Sequence, residues 1–221
     1  MTGRGTPAGD EAWLRQQVID TALALNAEGL SQGTSGNVSA RWGEGMLITP
    51  TAIPYADLLP EDVVFVAADG KAVGGLEPSS EWRFHLAAYG ARAEARAVVH
   101  CHSLNATALA CVHKPIPAFH YMVAVAGGSD IPLAPYATFG SAQLAQNVAA
   151  ALKDRKACLM ANHGQIACGA TLGESLALAR EVETLAAQYV QALAAGEPRL
   201  IGREEMDRVL EKFASYGQRR N

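Results

Sequence analysis

Apolar and polar positions along the chain repeat with two different periods, which predict helices interleaved with short strands. Stretches with helical spacing predict helices over residues 10–28, 79–92, 103–112, 141–153, 171–195 and 202–215. Short apolar runs between turn residues predict strands at NVSAR, MLITP, VVFVA, AVVHCH, CLMAN and QIACG. This alternation predicts one domain over residues 1–221, of the α/β class, with three α/β/α layers around a central, mostly antiparallel sheet.

Boundary residues support several of these helices. Asp10 is a plausible N-cap for the first helix, and Gly29 is a plausible end. Thr171 and Glu174 form a capping-box pattern at the start of a long helix, which we expect to end at Gly196.

Composition narrows the class of protein. Hydrophobic residues make up 49% of the 221 residues and charged residues 18%, which suits a sizeable core. The net charge of −4, without a basic patch, argues against a nucleic-acid partner. No apolar run is long enough to cross a membrane, and the amino terminus lacks a signal-peptide pattern. The scattered cysteines form no C-x-x-C pair, so we expect a cytoplasmic protein.

The most informative motif is His100-Cys101-His102, at the end of the apolar run AVVHCH. Side chains two positions apart on a strand share a face, so both imidazoles would project together from points roughly 6–7 Å apart. Two such rings can bind one divalent cation, while Cys101 turns to the opposite face.

A third histidine, His163, lies at the turn between the predicted strands CLMAN and QIACG. This turn can return to the strand end that holds His102, and three neutral imidazoles with one open position are typical of a catalytic zinc site. The alternative is that the pair in AVVHCH consists of hydrogen-bonded core residues; we prefer the metal interpretation. Packing is preferred for the remaining histidines, which are His85, His113 and His120.

Ser79, Ser80 and Glu81 begin a predicted helix. Either serine can be an ordinary N-cap, but two hydroxyls beside the free N–H groups of a helix start also suit a phosphate. Glu81 suits the first turn of any helix electrostatically, although near a metal it could be a ligand or a general base.

The loop GTSGN (residues 33–37) can form a backbone nest for an anion, although taken alone it is an ordinary turn. Tyr121, Phe139 and Tyr216 are in or next to loops, where packing is the default role for aromatic residues. Taken together, a metal that polarises a carbonyl, a carboxylate base and a phosphate nest are the components of metal-dependent enolate chemistry.

A series of motifs between about Leu14 and Tyr216 resembles the class II aldolase/epimerase family. They are TSGNVSAR, MLITPT-IPY, PSSEWRFHLAAY, AVVHCH, IPAFHYMVAVAGG, APYATFG and NHG-IACG. The resemblance implies a lyase that reversibly cleaves a ketose 1-phosphate, with L-fuculose 1-phosphate as the first candidate substrate. It also implies a homotetramer with active sites near subunit boundaries.

The same resemblance implies roles for individual residues. One zinc ion per subunit would be bound by His100, His102 and His163, with Glu81 as the base and as a further ligand. The implied phosphate-binding residues are Gly36, Asn37, Thr51, Ser79 and Ser80. Tyr121 would be the proton donor to the aldehyde oxygen. The residues implied for the aldehyde pocket are Phe139, Tyr216 and Arg219.

Some positions depart from the family pattern. Ala52 replaces a glycine in the phosphate loop, Asn162 replaces a histidine before the third ligand, and Cys101 replaces a polar residue. The tail after Gly217 diverges as well.

Several alternatives stay open. On the same scaffold they are aldolases of other deoxyketose phosphates, a sugar-phosphate dehydratase, and a pentulose-5-phosphate 4-epimerase. The epimerases that resemble this chain look as though they carry aspartate where it has Glu81, which favours the aldolase. A further alternative is a non-enzymatic adducin-like interaction domain, in which we would expect metal ligands to be missing.

Overall fold

The computed structural model of the protein describes residues 8–215. Within that range eight strands form one sheet, in the order β4-β3-β2-β1-β5-β8-β7-β6. The strands are β1 Asn37–Trp42, β2 Gly45–Ile48, β3 Val64–Ala67, β4 Ala72–Val73, β5 Ala97–Cys101, β6 Leu133–Ala134, β7 Ala157–Met160 and β8 Gly164–Gly169. Neighbouring strands are antiparallel except β6 and β7, which run parallel, so the predicted mostly antiparallel sheet is confirmed.

The two faces of this sheet are covered by α1 Ala8–Ala27, α2 Trp82–Ala91, α3 Leu104–Cys111, α4 Ala142–Leu152 and α5 Leu172–Ala195, whereas α6 Arg203–Ser215 packs against residues 121–126. Helices α2 and α4 pack together on one face, whereas α1, α3 and α5 cover the other. The predicted three-layer α/β/α arrangement is therefore confirmed.

Alternation along β5 sends its side chains into two separate cores. Val98 belongs to the core under α2 and α4, whereas Val99 and Cys101 belong to the core under α1, α3 and α5. His100 follows the first set, because its ring lies edge-on to Phe84 of α2 with centroids 5.1 Å apart. Strand periodicity therefore separates His100 from Cys101, as the sequence predicts.

The structure corrects two predicted helix starts. Asp10 lies inside α1, which begins at Ala8, so its predicted N-cap role is wrong. Helix α2 begins at Trp82 with Glu81 as its N-cap, two to three residues later than the pair of serines suggested. The Thr171 cap is confirmed, because its side chain accepts a hydrogen bond from the Glu174 N–H.

Candidate metal centre

The three histidines meet at one end of the sheet because β5 and β8 are adjacent. His100 is the penultimate residue of β5, and His102 follows the strand directly. His163 lies in the turn between β7 and β8, and the register pairs Cys101 with Gln165. This pairing returns the turn to the end of β5, as the sequence suggested.

Gly164 permits the close approach of this turn. A Cβ at this position would lie 2.5 Å from the Cys101 carbonyl oxygen and 2.9 Å from Cδ2 of His102. A side chain would therefore push β8 away from the metal-facing end of β5. The glycine after His163 has a steric function that the sequence alone did not reveal.

The three imidazole rings face one another with nearly equal spacing. Their centroids are 4.9 Å apart for His100 and His102, 4.9 Å for His100 and His163, and 5.0 Å for His102 and His163. The Nε2 atoms of His100 and His102 are 3.1 Å apart. Such spacing is close to that of nitrogen ligands around one ion at roughly 2.0–2.1 Å from each.

Glu81 completes the cluster from the start of α2. Its Oε2 lies 3.1 Å from Nε2 of His100, and its Oε1 lies 3.0 Å from Nε2 of His163. The Oε1 atom is buried and makes no hydrogen bond of acceptable geometry. A buried carboxylate oxygen without a hydrogen bond is costly unless something else, such as a cation, compensates its charge.

The ligand set fits a divalent metal. Each of the four residues offers one ligand atom, and these atoms all lie within 4.8 Å of one another. In addition, Nδ1 of His100 is 2.7 Å from the Gln165 carbonyl oxygen, to which it donates. This hydrogen bond leaves Nε2 unprotonated and directed at the cluster, as ligating histidines require.

Electrostatics keep the cluster ready to bind a cation. Burial would raise the pKa of Glu81, but His100 and His163 outweigh it and lower that pKa well below its usual range. Desolvation by the surrounding protein, together with the two neighbouring imidazoles, lowers the pKa of His102 to about 4. At neutral pH the cluster therefore combines a carboxylate with a neutral imidazole at position 102.

A cavity of about 340 Å³ opens beside the cluster. All the residues predicted to bind phosphate line it, namely Gly36, Asn37, Thr51, Ser79 and Ser80. Two of the three histidines, His102 and His163, line it as well, together with Glu81. The structure therefore places the predicted phosphate-binding residues in one cavity with Glu81 and two of the three predicted histidine ligands.

The glycine-rich loop depends on Gly36 and on a tyrosine that the sequence analysis did not single out. Gly36 has φ +84°, and a Cβ there would lie 2.6 Å from the Ser31 hydroxyl and 2.7 Å from the His100 carbonyl oxygen. The hydroxyl of Tyr55 donates to the Gly36 carbonyl oxygen at 2.6 Å. Burial, with the nearby Cys101 and Glu81, raises the pKa of Tyr55 well above its usual value, so it stays a donor.

Ala52 adopts the left-handed conformation, with φ +58°. A glycine, which Ala52 replaces in the family pattern, enters this region without a steric cost. An alanine resists this region by roughly 1–2 kcal/mol, so the loop holds Ala52 against its intrinsic preference.

The N-cap role considered for the two serines is wrong, because Glu81 is the N-cap of α2. The Ser79 hydroxyl accepts a hydrogen bond from the Glu81 N–H at 3.3 Å, just before the helix begins, and Ser79 also lines the cavity. Ser80 is exposed and lines the same cavity.

The aromatic residues are distributed differently. Phe139 lines the cavity and is exposed, and Tyr136, which the sequence analysis missed, lines it too. Tyr121 is not among the cavity residues; it is half exposed at the start of the 3₁₀ helix Tyr121–Ala126. Tyr216 and Arg219 lie outside the described residues.

The two remaining departures do not alter the ligand set. Cys101 is buried in the core opposite His100, and burial raises the pKa of its thiol to about 12. Asn162 has φ +54°, and its Oδ1 lies 2.6 Å from Nε2 of His113.

Comparison with known proteins gave a consistent set of matches. The family model described as "Class II Aldolase and Adducin N-terminal domain" matches residues 16–190. The L-fuculose phosphate aldolase of Escherichia coli K12 is 53% identical over 207 residues, covering 93% of this chain and 96% of that protein. The 5-methylthioribulose-1-phosphate/5-deoxyribulose-1-phosphate aldolase of Rhodospirillum rubrum is 51% identical over 209 residues, covering 95% of each protein.

Solved structures agree with these sequence matches. A structure described as L-fuculose 1-phosphate aldolase superimposes with a TM-score of 0.89 at 39% identity, covering 96% of this chain and all of that chain. Within the part of the chain that the structure describes, no helix is long and apolar enough to cross a membrane.

Proposed function

Because the chain belongs to the class II aldolase family, we propose that it catalyses the reversible aldol cleavage of L-fuculose 1-phosphate to dihydroxyacetone phosphate and L-lactaldehyde. The family match and the similar proteins confirm the family, the fold and the lyase class of enzyme that the motifs predicted. The observation that carries metal-dependent cleavage of a phosphorylated ketose is the four-ligand cluster beside a cavity that all five predicted phosphate residues line. The choice of L-fuculose 1-phosphate is supported by the 53% identity with the Escherichia coli K12 aldolase.

The metal of this proposal is zinc, held by His100, His102 and His163. Three imidazoles with an open position suit catalytic zinc, although such sites also accept cobalt or nickel. When bound, the ion supplies a Lewis acid that polarises the substrate carbonyl. Glu81 is close enough to be a further ligand before substrate arrives.

Glu81 is the proposed general base. In the condensation direction it removes a proton from the carbon next to the carbonyl of dihydroxyacetone phosphate, and in cleavage it returns that proton. Asn37 supports this role, because its Nδ2 donates to Oε2 of Glu81 at 3.0 Å. The hydrogen bond favours the charged carboxylate, which the first proton transfer requires.

The phosphate of the substrate would occupy the part of the cavity between the glycine-rich loop and the start of α2. Backbone N–H groups of the loop and the positive end of the helix favour an anion there. The hydroxyls of Thr51, Ser79 and Ser80 add further hydrogen-bond donors at the cavity wall.

Tyr121 is the proposed proton donor to the aldehyde oxygen, supplied by a neighbouring subunit of a homotetramer. Its position outside the cavity and its half-exposed ring are compatible with a contribution across a subunit boundary. Phe139 and the tail residues Tyr216 and Arg219 would shape the aldehyde pocket. We also expect a cytoplasmic location for the enzyme.

A second candidate substrate is a 5-deoxypentulose 1-phosphate or its methylthio analogue. The observation that favours it is the 51% identity with the Rhodospirillum rubrum aldolase, almost as high as that with the Escherichia coli enzyme. The two reactions would share the metal, the base and the phosphate site, and would differ only in the aldehyde released.

A substrate panel with a metal control tests this function. Purified protein is given L-fuculose 1-phosphate, 5-deoxyribulose 1-phosphate, methylthioribulose 1-phosphate and a pentulose 5-phosphate, and release of dihydroxyacetone phosphate is measured. We expect the highest kcat/KM with L-fuculose 1-phosphate and loss of cleavage after chelation, with recovery on adding zinc. Undiminished cleavage after verified metal removal would contradict the metal mechanism, and a preference for another ketose would contradict the substrate.

A further inference from the structure

Beneath the metal centre, polar side chains of α2 and β1 alternate in one buried row. Glu81, His85 and Tyr89 are spaced by one helical turn, and Asn37 and Ser39 share one face of β1. Each has at most 7% of its surface exposed. Every fourth residue along α2 and every second residue of β1 therefore face each other, so that five polar side chains alternate inside an otherwise apolar core.

Hydrogen bonds connect the whole row. The Tyr89 hydroxyl lies 2.9 Å from Oγ of Ser39, and this Oγ lies 2.7 Å from Nδ1 of His85. On the other side of the ring, Nε2 of His85 lies 2.5 Å from Oδ1 of Asn37, whose Nδ2 reaches Glu81 at 3.0 Å. The row of hydrogen bonds thus runs without a break from Tyr89 to Glu81, the proposed base.

The donor of each hydrogen bond follows from the acceptor at the end of the row. The carboxylate of Glu81 only accepts, so Asn37 must present its NH₂ group to it and its carbonyl oxygen to His85. That oxygen also only accepts, so Nε2 of His85 must carry a proton. In a neutral imidazole, Nδ1 is then the acceptor for the Ser39 hydroxyl, which in turn accepts from Tyr89.

The ring of His85 is neutral at ordinary pH. Complete burial, with a smaller contribution from the nearby His100, lowers its pKa to about 3. One proton on the ring gives the row a single direction, with every donor aimed towards Glu81.

We propose that His85 is a positioning residue, which holds the Asn37 side-chain amide with its NH₂ group towards Glu81. In a general base, the carboxylate alternates between a charged and a protonated form. Glu81 alone would fix the Asn37 amide only while charged, because a carboxylic acid can also donate a hydrogen bond. His85 fixes the amide in both forms, since its Nε2–H requires an acceptor throughout.

This role rests on the proposed function only for its effect on catalysis. Asn37 lines the cavity, and the second hydrogen of its NH₂ group is available for the substrate phosphate. A rotated amide would therefore weaken both the base and the phosphate site. We expect kcat to fall and KM to rise together when His85 loses its Nε2–H.

Two conservative variants separate this role from simple core packing. In His85→Gln, the amide NH₂ can occupy the position of Nε2 and still donate to Asn37. In His85→Asn, the shorter side chain reaches only the position of Nδ1, so the acceptor of Asn37 is orphaned. Loss of a buried hydrogen-bond partner corresponds to about a 10- to 100-fold effect, which we expect in kcat/KM for His85→Asn. For His85→Gln we expect about a threefold effect or less.

The experiment measures kcat and KM for the cleaved ketose phosphate, bound zinc and the thermal midpoint of both zinc-loaded variants. Parallel losses in the two variants, with KM unchanged and kcat falling only as zinc content falls, would mean that His85 merely fills space. A full-strength His85→Asn enzyme would also overturn the proposal.

A second readout does not depend on activity or on whether His85→Asn folds. In protein labelled with ¹⁵N-histidine, the ring nitrogen shifts of His85 should report the neutral form protonated at Nε2. The form protonated at Nδ1 would reverse the direction of the row and overturn the proposal. If the wild type cleaves none of the ketose phosphates, the proposed function fails, but the tautomer still tests the orientation.

Discussion

The metal centre and the Tyr121 region are assembled in different ways. The four candidate ligands lie together within one chain, on strand ends, on a tight turn and at the start of α2. Tyr121 instead lies half exposed on a 3₁₀ helix, beside Phe213 of α6 and away from the cavity. One chain therefore brings the four candidate ligands together, whereas Tyr121 lies outside the cavity beside them. The contribution of Tyr121 from a neighbouring subunit stays a prediction.

The largest expected effect comes from removing one of the four candidate metal ligands, which all belong to one chain. His102→Ala should abolish stoichiometric zinc binding and lower kcat by about 10³-fold or more, because the metal contributes several kcal/mol to the reaction. Metal analysis and kinetics check this outcome. His113→Ala is the control for zinc content, since His113 is outside the cluster; equal zinc in both variants would remove His102 from the site.

Glu81→Gln tests the base separately from the metal. We expect zinc to remain, held by three histidines, while proton exchange on dihydroxyacetone phosphate falls by about 10²- to 10⁴-fold. Deuterium incorporation measured by NMR, together with zinc analysis, separates the two effects. Exchange at the wild-type rate would exclude Glu81 as the base.

Mixing two defective proteins tests whether Tyr121 acts across a subunit boundary. Tyr121→Phe should lower cleavage by about 10²-fold, as expected for loss of a general acid. Subunits of this variant mixed equally with Glu81→Gln subunits should recover about a quarter of wild-type activity after random reassembly, because only that fraction of sites pairs two intact residues. No recovery in verified hybrid tetramers would mean that both residues act within one chain.

The smallest expected effect concerns the packing beneath the metal centre. Burial lowers the pKa of His85 from 6.5 to about 3, so between these values the unfolded chain binds more protons than the folded one. This contribution to stability is present above pH 6.5 and is lost as the pH falls towards 3. The slope is about 1.4 kcal/mol per pH unit at most.

Urea unfolding at pH 5 and pH 7 measures this dependence. The wild type should lose more stability between the two values than His85→Gln, which has no titratable group at that position. An identical loss in the two proteins would mean that the pKa of His85 is the same in the folded and unfolded chain, contrary to the effect of burial described above.

Residues whose role depends on local spacing could be found from the sequence. The His-x-His pattern on an apolar strand and His163 at a turn predicted a metal cluster, and the structure brings them together. The predicted phosphate residues gather in the same way, because a strand end and a helix start both face the cavity. The role assigned to each residue stays a prediction, as does the single domain over residues 1–221.

Residues whose role depends on distant neighbours could not be found in this way. Tyr55 reaches the Gly36 carbonyl across 19 positions of sequence, and Tyr136 lines the cavity from a separate loop. His85 looked like an ordinary core residue, because its partners on β1 lie 46 and 48 positions away. The hydrogen bonds of His85 exist only after β1 and α2 have packed together.

The sequence by itself determined the alternation of helices and strands, the face on which His100 lies and the types of side chain available for a metal. These follow from periodicity and ligand chemistry, which are local properties. Only the tertiary structure decided that Glu81 completes the cluster, that His85 connects Ser39 to Asn37, and that Tyr121 lies outside the cavity. The physical reason is that hydrogen bonds and metal ligation act over a few ångströms, so they depend on which elements pack side by side.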